Sequence, residues 1–178
     1  LGIDLADPDS LCSAESLPPL NPQDLREALE SMILSASGWR AVFALDGDEE
    51  SRTTEIGGAQ RYILAAAGRA FARLLMEERS QVNGVKREGP LRLVVGCDSR
   101  PSGAAMANEI IRCLLALDCQ VIYTSIIAVP ELMAWCRHDV EGNADCDGFI
   151  YISASHNPIG HNGLKFGRNS GGVIEGGE

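Results

Sequence analysis

Apolar residues in this chain follow two patterns, one typical of strands and one typical of helices. Three short, continuous runs are rich in β-branched or aromatic residues and indicate buried strands, at 91–97, 119–123 and 149–152. Before and between these runs, apolar residues recur every three or four positions, which predicts helices over about 55–78, over about 102–117 and from Pro130 onward. This succession predicts an α/β fold, a three-layer α/β/α domain with a mixed, largely parallel sheet of about four strands.

The first 22 residues show neither pattern. They are rich in Asp, Ser, Pro and Leu, and we predict that 1–22 form an N-terminal arm. Asn21 and Pro22, at the end of this stretch, are typical of a helix start. The chain of 178 residues is long enough for one domain with a substantial core, which we place at 23–178.

Acidic residues outnumber basic ones by 25 to 15, which gives a formal net charge of -10. This charge disfavours nucleic acid or an anionic membrane as the main partner, because both require a basic face. An anionic small substrate is compatible with it, since such a substrate responds to local charge. The six cysteines include no Cys-x-x-Cys pair, and no secretory signal or membrane-spanning stretch is visible, so we expect core thiols in a cytoplasmic protein.

The segment after the third apolar run carries three side chains with distinct chemistry. It reads Ser-Ala-Ser-His-Asn-Pro over 153–158 and Asn-Gly-Leu-Lys over 162–165. Ser155 offers a hydroxyl, His156 an imidazole and Lys165 an amine. In an open α/β sheet, ligands bind in the loops at the carboxyl ends of strands. This serine loop is therefore the first candidate for an active site.

An arginine far upstream is a second candidate. Arg40 follows Ser37 and Gly38 in a loop of small residues. A guanidinium presents a planar fork of donors that suits phosphate. The sequence thus offers one long cationic side chain that could meet an anion at the serine loop.

Another arginine follows the strand predicted at 91–97. An acid and a base two residues apart in a turn often brace neighbouring loops, so we expect Asp98 and Arg100 to support the serine loop rather than to act in catalysis. Ser102 is a candidate N-cap for the next helix.

These motifs resemble those of the α-D-phosphohexomutases, the phosphoglucomutase and phosphomannomutase superfamily. The phosphoserine loop of that family is Thr/Ser-Ala-Ser-His-Asn-Pro, a spacer and Asn-Gly-x-Lys, and 153–165 match both halves. Ser-Ala-Ser-Gly-Trp-Arg at 35–40 is similar to its Gly-Thr-Ser-Gly-x-Arg loop in the second serine, the glycine and the arginine, and departs from it elsewhere. Gly-Cys-Asp-Ser-Arg at 96–100 resembles its Gly-x-Asp-x-Arg segment.

The resemblance implies an intramolecular phosphotransferase. Phosphorylated Ser155 would move phosphate between C1 and C6 of a hexose phosphate, through a hexose 1,6-bisphosphate that is both intermediate and activator. We predict that Lys165 transfers the proton. The predicted catalytic residues are Ser155, Lys165, His156 and Arg40, and the predicted phosphate or substrate ligands are Arg40, Ser37, Asn157 and Lys165.

The resemblance also implies Mg²⁺, bound by the serine phosphate and by an Asp-x-Asp-x-Asp loop of a second domain. Neither that loop nor the family's sugar-reading Gly-Glu-x-Ser-Gly loop is found in these residues. We therefore expect this chain to offer the metal only Ser155, through its phosphate. Further domains of the same protein would be its partners, beside the hexose phosphate, and the fragment alone would be inactive.

Two other functions are open from the residues. One is a non-catalytic phosphosugar-binding or regulatory domain that keeps the loop. The other, which the sequence favours less, is a serine hydrolase using Ser155. In an α/β-hydrolase the nucleophile stands in Gly-x-Ser-x-Gly, whereas Ala154 and His156 flank the serine here.

Overall fold

The structure is a computed structural model that describes residues 21–35, 38–81, 89–137, 139–140, 143–144 and 146–174. Its helices in chain order are α1 (Pro22–Glu30), α2 (Gly58–Gln81), α3 (Gly103–Leu115) and α4 (Val129–Arg137). Its strands are β1 (Ile33–Ser35), β2 (Gly38–Val42), β3 (Arg92–Cys97), β4 (Gln120–Ile126), β5 (Asp139–Val140), β6 (Asn143–Ala144), β7 (Gly148–Ile152) and β8 (His161–Arg168). The predicted helices and the three predicted strands are therefore all present, with ends shifted by a few residues.

The main sheet has six strands in the order β1-β2-β8-β7-β3-β4, and β5 pairs with β6 separately. β3 pairs in parallel with β4 and β7, while the other three pairings are antiparallel. The sheet is mixed, as predicted, but it has six strands rather than about four, and it is not largely parallel. The prediction missed β1, β2 and β8. β1 has only three residues, and β2 and β8 contain glycine and charged residues, so none of the three shows a long apolar run.

Both faces of the sheet are covered, as the predicted three-layer fold requires. Alternate residues of β3 and β7 point to opposite faces. Leu93, Val95 and Ile150 join α2 and α3 in one core, while Val94 and Phe149 join α4 in a smaller one. The α/β/α class predicted from the sequence is confirmed.

The structure bears on the predictions about membrane-spanning segments and about the cysteines. Within the described part of the chain, no helix combines the length and apolarity needed to cross a membrane. Cys97, Cys113 and Cys119 are free thiols, and burial raises the pKa of each. Cys97 and Cys119 belong to the core, as predicted, whereas Cys113 is only partly buried. The arm predicted at 1–22 lies almost wholly outside the described residues and stays a prediction.

Candidate active site

The serine loop leaves the sheet at the carboxyl end of β7 and returns as β8. Ser155 is exposed in this turn and has a backbone φ of +54°, in the left-handed region that side-chain-bearing residues rarely adopt. Its N–H donates to Ser153 Oγ at 3.0 Å, and Asn157 N–H donates to the Ala154 carbonyl at 3.2 Å. These bonds close a tight turn around the serine. Strained backbone of this kind is characteristic of functional sites.

Arg100 lies beneath the serine loop. Its Nη2 donates to the carbonyls of Ser155 (2.9 Å) and Asn157 (2.6 Å), and its Nη1 donates to those of Pro158 and His161 (the latter at 2.9 Å). The side chain is only 8% exposed. A single guanidinium thus satisfies four carbonyl groups of one short loop, and those charge-assisted bonds define where the loop lies.

Asp98 holds that arginine in turn. Its Oδ2 lies 3.3 Å from Arg100 Nε, and its Oδ1 accepts the Arg100 backbone N–H at 3.0 Å. The Asp98 N–H donates to the Ile152 carbonyl at the end of β7, at 3.0 Å. The turn after β3 is consequently tied to both ends of the segment that carries the serine, in the arrangement expected of supporting residues.

Lys165 reaches the serine from β8. It stands directly opposite Tyr151 of β7, so its side chain lies on the α4 side of the sheet. Its Nζ donates to Ser155 Oγ at 3.3 Å. The structure therefore brings together the hydroxyl and the amine that are ten residues apart in the sequence.

Arg40 lies on the same face of the sheet. It pairs with Gly163 of β8, two residues before Lys165, and side chains two apart on a strand share a face. A Cβ built on Gly163 would stand 2.1 Å from the Trp39 carbonyl and 3.2 Å from Arg40 Cγ, so only glycine lets β2 approach this closely. The Arg40 Nε is buried and has no hydrogen-bond partner among the described residues. Two cationic side chains, Arg40 and Lys165, therefore lie on one face of the sheet.

The other predicted site residues are less defined. His156 is exposed, and its ring makes no hydrogen bond or ion pair with any described residue. Asn157 is half-buried and meets Arg100 through its backbone. Ser37 lies outside the described residues. Within the described ranges, no group of three or more His, Cys, Asp or Glu could hold a metal ion.

Sequence reasoning missed one polar pair behind the site. Ser102 stands at the N-cap position of α3, as predicted, but its hydroxyl makes no capping hydrogen bond. The hydroxyl instead accepts from Asn162 Nδ2 at 3.0 Å, and Asn162 Oδ1 accepts the Gly163 N–H at 2.9 Å. Both side chains are buried. The only sequence signal was the position of Asn162 within the motif that ends at the lysine.

Known proteins share this domain. The model of the family described as "Phosphoglucomutase/phosphomannomutase, alpha/beta/alpha domain I" matches residues 46–177. The phosphoglucosamine mutase of Clostridioides difficile (strain 630) is 33% identical over 132 residues, which make up 74% of this chain and 26% of that protein. The phosphoglucomutase/phosphomannomutase of Thermococcus kodakarensis is 38% identical over 98 residues, or 55% of this chain and 19% of that protein.

A solved structure has the same architecture. The X-ray structure of a phosphoglucomutase/phosphomannomutase family protein from Burkholderia thailandensis matches with a TM-score of 0.55 at 21% identity, over 76% of this chain and 26% of that one. This likeness supports the fold alone. The chain spans about a quarter of the length of the first of these relatives and of this structure. Ser155, Lys165 and Arg100 lie inside the family match, and the chain belongs to the phosphoglucomutase/phosphomannomutase family, of which it carries the α/β/α domain I.

Proposed function

We propose that this chain is the phosphoserine-bearing domain of a phosphohexomutase. The observation that carries the proposal is the 3.3 Å hydrogen bond from Lys165 Nζ to Ser155 Oγ, in a loop that Arg100 fixes from below. An unaided serine hydroxyl is a weak nucleophile and a poor leaving group. A lysine at this distance can supply the proton transfer that the hydroxyl needs.

In the proposed reaction Ser155 begins as a phosphoserine. A hydroxyl oxygen of the hexose phosphate attacks phosphorus, and the bond from phosphorus to Ser155 Oγ breaks. The ammonium of Lys165 gives its proton to the departing Oγ, while the attacking hydroxyl releases its own proton to water. The hexose 1,6-bisphosphate then turns around and the Ser155 hydroxyl attacks its other phosphate. Lys165 takes the proton of that hydroxyl, and the departing sugar oxygen takes a proton from water. Phosphate has moved between C1 and C6, and the enzyme is regenerated.

Local positive charge would support this transfer although the chain is acidic overall. Phosphoryl transfer depends mainly on positioning and on cations that neutralise the transferring oxygens. Arg40 and Lys165 are both cations on the same sheet face, and the Arg40 Nε has no described partner. We assign Arg40 to the phosphate, and Ser37, His156 and Asn157 to its orientation.

The proposed Mg²⁺ fits only partly with the residues present. The described residues contain no cluster of three candidate ligands. This chain would offer the ion a phosphate oxygen on Ser155, and the remaining ligands would come from further domains. When bound, the ion would neutralise phosphate charge. The steps assigned to Lys165 and Arg40 do not depend on it.

The substrate is proposed as a hexose phosphate, the amino-sugar form included. The names of the C. difficile and T. kodakarensis relatives indicate that class. Because the chain spans about a quarter of the first relative, sugar recognition is assigned to other domains of the same polypeptide. We accordingly expect little mutase turnover from the 178 residues alone.

Intact mass measurement tests the proposal on the full-length protein. Incubation with a hexose 1,6-bisphosphate should add one phosphoryl group, which peptide mapping should place on Ser155. Ser155→Ala should take up none. Ser99→Ala, which removes an exposed serine from the neighbouring turn, should be labelled like the parent. Labelling that persists in Ser155→Ala would sink the proposal, and acylation of Ser155 by a fluorophosphonate would favour a hydrolase instead.

A further inference from the structure

Two segments hold the two reactive groups of the candidate site. The turn at 98–102 holds Ser155, because Arg100 within it binds the serine loop through four carbonyls. The strand β8 holds Lys165. The relative position of the hydroxyl and the amine therefore depends on how firmly this turn and this strand are joined.

A buried side-chain contact joins them. Asn162 Nδ2 donates to Ser102 Oγ at 3.0 Å, with Asn162 at 0% and Ser102 at 3% exposure. Ser102 stands two residues after Arg100, and Asn162 stands three residues before Lys165. The same carboxamide is fixed on its other side, because Asn162 Oδ1 accepts the Gly163 N–H at 2.9 Å. Both polar ends of the asparagine are thus in use.

The contact replaces an ordinary stabilising interaction. Ser102 occupies the N-cap position of α3 but makes no capping hydrogen bond, although such a cap commonly stabilises a helix. Proteins tend to break a local rule where a functional arrangement needs it. The hydroxyl that would have capped α3 serves the link to β8.

We infer that Asn162 and Ser102 act together as positioning residues that fix Lys165 against Ser155 for phosphoryl transfer. The inference rests on the proposed function for its catalytic consequence. Neither residue touches the reacting atoms. Loss of either should let β8 shift relative to the serine loop, which lengthens the contact between Lys165 Nζ and Ser155 Oγ.

Competitive acylation of lysines in the full-length protein measures this directly. The 178 residues hold two lysines, Lys86 and Lys165, and peptide mapping reads them separately. If Lys165 Nζ loses its hydrogen bond to Ser155 Oγ and becomes more exposed, its amine should be acylated faster. We expect Asn162→Ala and Ser102→Ala each to raise the Lys165:Lys86 labelling ratio about fivefold, the effect of one neutral hydrogen bond. The double variant should rise no further, and Ser102→Thr, which keeps the hydroxyl, should stay near the parent.

Leu114→Ala is the matched control. Leu114 is fully buried near the far end of α3, so its loss destabilises the domain without touching the link. If Asn162→Ala lowers the melting temperature but leaves the labelling ratio where Leu114→Ala leaves it, the positioning role is refuted. In the full-length mutase, kcat should fall for Asn162→Ala with KM unchanged. Failure of the parent to accept phosphate on Ser155 would count against the proposed function, while the labelling ratio decides on positioning independently.

Discussion

Replacing Arg100 by methionine isolates the contribution of one guanidinium to the serine loop. Methionine keeps most of the apolar stem and removes every donor. Arg100→Met would leave the carbonyls of Ser155, Asn157 and His161 without this donor, and Asp98 without its cation. The Pro158 carbonyl would keep only the His161 N–H, which donates to it at 3.1 Å. Breaking a buried ion pair from one side costs about 3–5 kcal/mol. The loop lies at the surface and water can reach some of the freed carbonyls, so we expect about 3 kcal/mol, the low end of that range.

Urea unfolding and hydrogen exchange together check this value. The free energy of unfolding should fall by that amount, and amide protection should drop most over 153–163. Arg92→Met is the control, because it removes the same charge from an exposed position at the start of β3. It should change stability by less than about 0.5 kcal/mol. Equal stability of the two variants, or unchanged protection of the loop in Arg100→Met, would refute the assigned role.

Three further substitutions test other parts of the structure. Gly163→Ala should lower the free energy of unfolding in urea by at least about 2 kcal/mol, because its Cβ would stand 2.1 Å from a carbonyl oxygen of β2. Gly172→Ala is the control and should be nearly neutral, because its Cβ would have only one neighbouring atom, at 3.5 Å. Ser155→Gly should be about 1 kcal/mol more stable than Ser155→Ala, since only glycine adopts a φ of +54° without strain; equal melting temperatures would contradict this. Burial raises the pKa of Tyr123 from 10.0 to about 12, so the folded state favours the neutral phenol. The resulting stability is complete below pH 10.0 and is lost as pH rises to about 12, and Tyr123→Phe should lose less stability over that range.

The central strands could be predicted because strands that are buried on both faces consist almost entirely of apolar residues. β3 and β7 are enclosed on both faces, so their residues form continuous apolar runs. β2 and β8 carry Arg40 and Lys165 on one face of the sheet, and they carry glycines where the strands approach closely. Strands of this composition have no continuous apolar run. The sequence therefore predicted too few strands and missed the antiparallel ones.

The candidate site could be predicted as far as its residues are close in sequence. Ser155 and Lys165 belong to neighbouring antiparallel segments, so their meeting follows from a short turn. The link between Ser102 and Asn162 spans 60 residues and joins two buried polar groups. Buried polar residues follow no hydrophobic period, and the usual preference of serine for a helix cap pointed to a different partner.

The register between β7 and β8 constrains the number of residues in the serine loop. Ile152 stands opposite Leu164 and Tyr151 opposite Lys165, so the eight residues from 153 to 160, together with the start of β8, set which face the lysine occupies. One inserted residue that shifted this register would move Lys165 to the side of α2 and α3 and expose Leu164 in its place. Natural variants of this domain should therefore vary the chemistry of the loop while keeping its residue count. The spacing of ten residues between serine and lysine can serve as a ruler for finding distant sequences that retain the same site.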